Sequence, residues 1–198
     1  ASLPGTYYVN YEATDEAGNK ATAQLTVVVI DTTKPHLEFT MTPNQPDGLS
    51  SWYKKNVKFN VTATDVQGIK TLQYSISTDG GNTWGSYSNI TNNTFTISTQ
   101  GSNLKVRMKA VDQSNNEMLV ESGVFKLDSA IPTISKIEGN PTNWTKNDVT
   151  ITVTASDVTS RIKEYSFDGG TTWQTNNTKV YTSNANVSVM IKDNAGNT

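Results

Sequence analysis

The chain has 198 residues, 34% hydrophobic and 17% charged, and its 18 acidic and 16 basic groups give a net charge of −2. That balance offers no basic field for a nucleic-acid backbone and no polybasic patch for a membrane surface. The longest apolar run, Val27-Val28-Val29-Ile30, is far too short to span a bilayer. Cysteine is absent, so a secreted domain of this composition must rest on its core alone. No initiator Met or secretory leader opens the sequence, which reads as a mature piece or an internal window of a longer protein.

Taken in chain order, the pattern is one of strands and turns. Tyr7, Val9, Tyr11 and Ala13 alternate with polar neighbours, Asp15-Glu-Ala-Gly-Asn19 signals a turn, and residues 20–30 form a second extended run. Two strands cannot bury a core by themselves. Residues 1–30 therefore read as the F–G strands that end a preceding repeat. Asp31-Thr-Thr-Lys-Pro35 then opens a new unit. Within it, Val57, Phe59, Val61 and Ala63 alternate, as do Leu104, Val106, Met108 and Ala110, before the turn Asp112-Gln-Ser-Asn-Asn116.

The landmarks of that unit recur in the same order. Asp128-Ser-Ala-Ile-Pro132 repeats the opening, and Trp144-Thr-Lys-Asn-Asp-Val149 repeats Trp52-Tyr-Lys-Lys-Asn-Val57. Val187, Val189 and Ile191 match the late strand, and Asp193-Asn-Ala-Gly-Asn197 matches the turn. Residues 31–127 thus read as one complete repeat, A through G, and residues 128–198 as a second that lacks its last strand. No window carries a helical stripe. The predicted fold class is all-β, as tandem immunoglobulin-like β-sandwich domains.

Each repeat carries one copy of a short hairpin motif, STDGGNTW at 77–84 and SFDGGTTW at 166–173. Both resemble the Asp-box of sialidase propeller blades. In such a hairpin the aspartate and serine bond the turn backbone, glycine supplies an open conformation, and tryptophan closes the underside. Ser77, Asp79, Gly81, Thr83 and Trp84, and Ser166, Asp168, Gly170, Thr172 and Trp173, are therefore read as a structural device. Sialidase chemistry needs three arginines around the substrate carboxylate, and this chain has only Arg107 and Arg161. The sole histidine, His36, has no Ser and Asp framing of triad type. Phosphate loops and paired carboxylates are also missing, so no enzyme is predicted.

A sharper expectation concerns aspartates. In a sandwich the inter-domain linker, the B–C loop and the F–G loop meet at one pole. Asp31, Asp65 and Asp112 should then converge, and Asp128, Asp157 and Asp193 should do so in the next repeat. Three carboxylates, joined by Asn115 or Asn194 and backbone carbonyls, would suit calcium, a hard cation that takes six to eight oxygens. The plainer reading needs no cofactor, because aspartate also forms turns and no Asp-x-Asp-x-Asp-Gly run fixes a ligand spacing. Trp52, Trp84, Trp144 and Trp173 sit at repeated positions, which points to packing in every domain rather than to carbohydrate platforms.

The pattern Gly-Thr-Tyr-x-Val-x-Tyr…Asp-x-Ala-Gly-Asn…Asp-Thr-Thr-x-Pro resembles the end of a bacterial immunoglobulin-like (Big-type) repeat. Trp-x-x-x-x-Val…Ala-x-Asp…Tyr-Ser…Asp-Gly-Gly-x-x-Trp resembles its middle. Such repeats occur in tandem in large surface proteins and adhesins and as accessory modules of secreted hydrolases. The resemblance implies a non-catalytic, extracellular stalk, spacer or fibre segment at the bacterial cell surface. Its partners would be neighbouring repeats and a host or cell-wall glycan or protein, with no nucleic acid and no membrane insertion. Two alternatives stand beside it: an accessory carbohydrate- or protein-binding module of a secreted hydrolase, and a subunit that assembles head to tail by strand donation.

Overall fold

The computed structural model describes residues 3–198. It opens on a hairpin of β1 (Gly5–Thr14) and β2 (Lys20–Val29), paired antiparallel from Gly5 with Val29 to Thr14 with Lys20. Among the described residues these two strands pair only with each other. Tyr7, Val9 and Tyr11 alternate as the sequence predicts, yet all stay exposed, because no second sheet lies over them.

Nine strands follow in the first repeat: β3 (His36–Thr42), β4 (Trp52–Tyr53), β5 (Val57–Thr64), β6 (Ile69–Ser77), β7 (Ser88–Asn89), β8 (Thr94–Ile97), β9 (Gly101–Asp112), β10 (Glu117–Glu121) and β11 (Phe125–Leu127). One sheet runs β3-β5-β8, and the other runs β4-β11-β9-β6-β7 with β10 also on β9. Strand alternation decides which side chains meet between them. Val57, Phe59 and Val61 of β5 face Leu104, Val106, Met108 and Ala110 of β9, and Phe125 and Leu127 of β11 close the end of the core. Phe95 stacks on Phe59 with centroids 4.9 Å apart, and Phe125 stands edge-on to Tyr53 at 6.0 Å. Each such side chain, fully buried, contributes about 1.5–3 kcal/mol.

The second repeat holds β12 (Thr133–Glu138), β13 (Val149–Ser156), β14 (Ile162–Ser166), β15 (Thr178–Tyr181) and β16 (Met190–Asp193). Its sheets are β12-β13-β15 and β14-β16, which reproduce β3-β5-β8 and the β6-β9 pair. Its core is smaller, built on Ile151, Val153, Phe167 and Ile191. Val187 and Val189 precede the ladder instead of joining it, so the strand is much shorter than β9. The chain is a tandem of all-β sandwiches of immunoglobulin-like architecture.

Candidate functional site

The candidate site is the pole where each sandwich meets its linker. It begins with the turn between the last two strands. Asn116 donates its backbone N–H to Asp112 Oδ1 and its side-chain amide to Asp112 Oδ2, both at 2.8 Å. Asn197 clasps Asp193 in the same way, as does Asn19 with Asp15, again at 2.8 Å for each bond. The clasp closes the turn and gives each carboxylate oxygen one donor. The same asparagine amide also reaches the linker: Asn116 Nδ2 donates to the Asp31 carbonyl at 3.1 Å, and Asn197 Nδ2 to the Asp128 carbonyl at 3.0 Å.

The loop between the second and third strands adds the remaining carboxylate. Asp65 Oδ1 accepts from the N–H of Gln67 at 2.8 Å. Asp157 Oδ1 accepts from the N–H groups of Ser160 and Arg161 at 2.7 and 2.8 Å. The linker, this loop and the clasp converge at both poles. Asp31, Asp65 and Asp112 each bring a carboxylate oxygen within 4.8 Å of the others, and so do Asp128, Asp157 and Asp193. Asn115 and Asn194, the expected companions, turn elsewhere. Asn115 accepts from the Lys70 ammonium at 2.6 Å, and Asn194 donates to the Ser160 carbonyl at 2.7 Å. Asn116 and Asn197 are the asparagines at the site; their position four residues after the aspartate, as in Asp15-x-x-x-Asn19, was the available signal.

The two clusters differ electrostatically. Burial raises the Asp128 carboxyl above its ordinary range; the Ser160 and Ala130 donors oppose that shift, and the carboxylates of Asp157 and Asp193 add to it. At Asp112 burial also pushes upward, but the Asn116 amide and backbone donors win and hold it low. Asp31 Oδ2 is buried without a hydrogen-bond partner. It is an oxygen facing carboxylates with no donor to satisfy it, which is chemistry that fits a hard cation.

The second pole also touches the first repeat. Leu49, in the loop before β4, donates its N–H to the Ala195 carbonyl at 2.8 Å, and the Lys54 ammonium donates to the Gly196 carbonyl at 2.8 Å. Asp128 N–H bonds the Tyr53 carbonyl at 2.9 Å. Gly196 sits at φ +94°, and a Cβ there would lie 3.0 Å from the Leu49 side chain. These contacts run from loop to turn and join one sandwich to the next.

In both Ser-x-Asp-x-Gly-x-Thr-Trp hairpins the Ser, Asp and Thr side chains bond within their own turn. Ser77 Oγ donates to Asp79 Oδ1 and accepts from Gly81 N–H, each at 2.7 Å; Asp79 also accepts from the Thr83 hydroxyl at 2.6 Å. Ser166, Asp168, Gly170 and Thr172 repeat the pattern. Gly81 and Gly170 adopt φ of +102° and +90°, where a side chain is strained. The Ser77 and Thr83 donors hold Asp79 far below the ordinary carboxylate range, and those of Thr172 and Ser166 hold Asp168 at about 2. A cation covers one face of each ring: Arg107 Cζ lies 4.1 Å from the Trp84 ring centroid and Lys192 Nζ 3.7 Å from that of Trp173.

The expectation that all four tryptophans pack requires correction. Trp52 is 6% exposed but Trp144 is 92% exposed. Trp52 lies in β4, paired with β11, and no described strand pairs with residues 144–145. His36 lies on the surface, 3.5 Å from Glu38.

No protein-family model matches the sequence, and no curated protein matches it. Among solved structures it is similar to the fibronectin(III)-like modules of Clostridium thermocellum CbhA. Identity is 17% over 81% of this chain and 88% of that one, with a TM-score of 0.32. The strand order and the two cores, rather than this overlap, carry the fold assignment. Among the described residues no helix is long and apolar enough to cross a membrane.

Proposed function

We propose that this chain is a non-catalytic spacer: a run of Big-type immunoglobulin-like repeats in an extracellular, adhesin-like protein of a bacterial cell surface. The observation that carries the reading is the junction, where Leu49 and Lys54 of one repeat bond the turn carbonyls of Ala195 and Gly196 in the next. A spacer transmits position by resisting bending between modules, and such contacts, with a linker tied down by Asn197, supply that resistance. Covered faces on Trp84 and Trp173 favour the spacer over an accessory glycan-binding module. Small-angle scattering of the intact chain tests it. The expected particle is elongated, with one well-defined maximum dimension that lengthens and blurs in Lys54→Ala; a wild-type profile typical of freely hinged beads would overturn the reading.

Calcium belongs to the same proposal. Asp31, Asp65 and Asp112 would hold one ion and Asp128, Asp157 and Asp193 another, each tying linker to sandwich, with the unpartnered Asp31 Oδ2 as support. An ion that binds only the folded state adds about 2.7 kcal/mol at a hundredfold excess over its Kd. Melting in millimolar calcium should therefore exceed melting in EDTA by several degrees, and identical curves would leave these aspartates as turn formers.

A further inference from the structure

The first repeat reaches its neighbour through a loop that is longer than its counterpart in the second. Trp52 stands seventeen residues after Pro35, whereas Trp144 stands twelve after Pro132, so the first repeat carries five extra residues between these landmarks. Most of the extra length lies in the loop at 43–51, between β3 and β4. Within it Ser50 and Ser51 take φ of +50° and +63°, a conformation that serine holds only with support. Three bonds supply that support. Gly48 N–H donates to the Trp52 carbonyl at 2.9 Å, Lys54 N–H to Asp47 Oδ1 at 2.7 Å, and the Lys126 ammonium to the Ser50 carbonyl at 3.0 Å. The loop is thus fixed in one shape, with Gly48 and Leu49 set against the turn at 193–197.

Two glycines decide how closely loop and turn approach. A Cβ on Gly48 would lie 2.5 Å from the Ala195 carbonyl oxygen, and 2.9 Å from the Trp52 carbonyl oxygen of its own loop. A Cβ on Gly196 would lie 3.0 Å from Leu49 Cγ and 3.3 Å from Cδ1, inside the ordinary carbon contact of about 3.5–4.0 Å. Ala195 is 0% exposed, so a hydroxyl added there would enter a closed space. The equivalent turn of the first repeat differs at both places. Ser114 stands where Ala195 stands, and Asn115 stands where Gly196 does, at φ +68°. The turn itself therefore accepts asparagine. What excludes it at 196 is Leu49 of the neighbouring loop.

We propose that the loop at 43–51 is a selective docking surface: its partner is a repeat whose turn reads Asp-x-Ala-Gly-Asn, and it rejects one whose turn reads Asp-x-Ser-Asn-Asn. The unit at 128–198 seats on it. A second copy of the unit at 31–127 does not, because the side chain at its Asn115 would strike Leu49. Discrimination comes from a clash built against the wrong neighbour as much as from bonds to the right one. The inference rests on the junction that carries the spacer reading, and it adds the rule by which that junction chooses which repeat follows.

Amide hydrogen exchange of the intact chain tests the rule, read at residue 49, whose N–H is held by the Ala195 carbonyl. In the wild type that amide should be protected. Gly196→Asn, which imitates the turn at 112–116, should speed its exchange by about tenfold or more while the Asn197 amide keeps its rate. Adding Leu49→Ala removes the atoms that the new side chain strikes, and should restore protection to within about threefold of the wild type. Protection at residue 49 that survives Gly196→Asn overturns the rule and leaves the spacer reading in place. A loss that Leu49→Ala fails to reverse, or that spreads to the Asn197 amide, also overturns it, because the fault would lie in the turn. An unprotected Leu49 amide in the wild type removes the junction itself, and the spacer reading with it.

Discussion

Trp52 and Trp144 each stand five residues before the first core valine of their repeat, Val57 and Val149, yet one is buried and the other stands in solvent. The neighbourhood decides. β11 lies beside Trp52 in parallel register, with Lys126 over its ring at 5.7 Å, and its Phe125 and Leu127 seal the core behind Tyr53. Among the described residues the second repeat has the same two-sheet plan with no strand paired beside Trp144, and its core is smaller. In the first repeat the last strand closes the core, and among the described residues that repeat has the larger buried cluster.

Substitutions can break this contrast, beginning with the largest effect. Leu104→Ala leaves a cavity in a sealed core and should cost about 2–5 kcal/mol, whereas Val189→Ala, at the equivalent half-open place, should cost about 1 kcal/mol or less. Urea unfolding of the intact chain reads both, and equal costs would refute the contrast. The clasps give the next test. Asn197→Ala strands the buried Asp193 carboxylate and the Asp128 carbonyl, for about 1–3 kcal/mol. Asn19→Ala removes the same bonds from an exposed turn and should stay within about 0.5 kcal/mol.

Acid sharpens the comparison with the smallest effects. Asp79 and Asp168 are held below their ordinary pKa, so their contribution is complete above about pH 4 and fades as pH falls towards about 2. Asp128 has the opposite sign. Its raised pKa means that the folded state takes up a proton first, so in calcium-free protein the junction gains stability as pH falls from neutral into the carboxylate range. Melting curves of wild type and Asp128→Asn between pH 7 and 3 should therefore converge at the acid end; parallel curves would contradict this.

Much of this was legible in the sequence because the repeat supplied its own alignment. The alternation of Val57, Phe59 and Val61 gives a half-buried strand, and three landmarks at one pole gave the two aspartate triads. The hairpins were legible because the side chains of Ser77, Asp79 and Thr83 bond within their own turn. The fate of Trp144 was not, since equivalent residues suggest equivalent packing and burial depends on a strand far away in sequence. Nor was the junction. Leu49 donates through its backbone and Ala195 and Gly196 accept through theirs, so the contact leaves almost no side-chain pattern to read. Asn115 and Asn194 were the expected companions of the aspartates, and the clasp falls instead to their neighbours Asn116 and Asn197.

The central claim is that neighbouring repeats are held in one orientation. Residual dipolar couplings, measured on the amides of residues 36–127 and of residues 133–197 in the intact, weakly aligned protein, address it directly. The two sets should fit a single alignment tensor in magnitude and direction. Two tensors of unequal magnitude would mean that the sandwiches reorient independently, and the spacer account would fail.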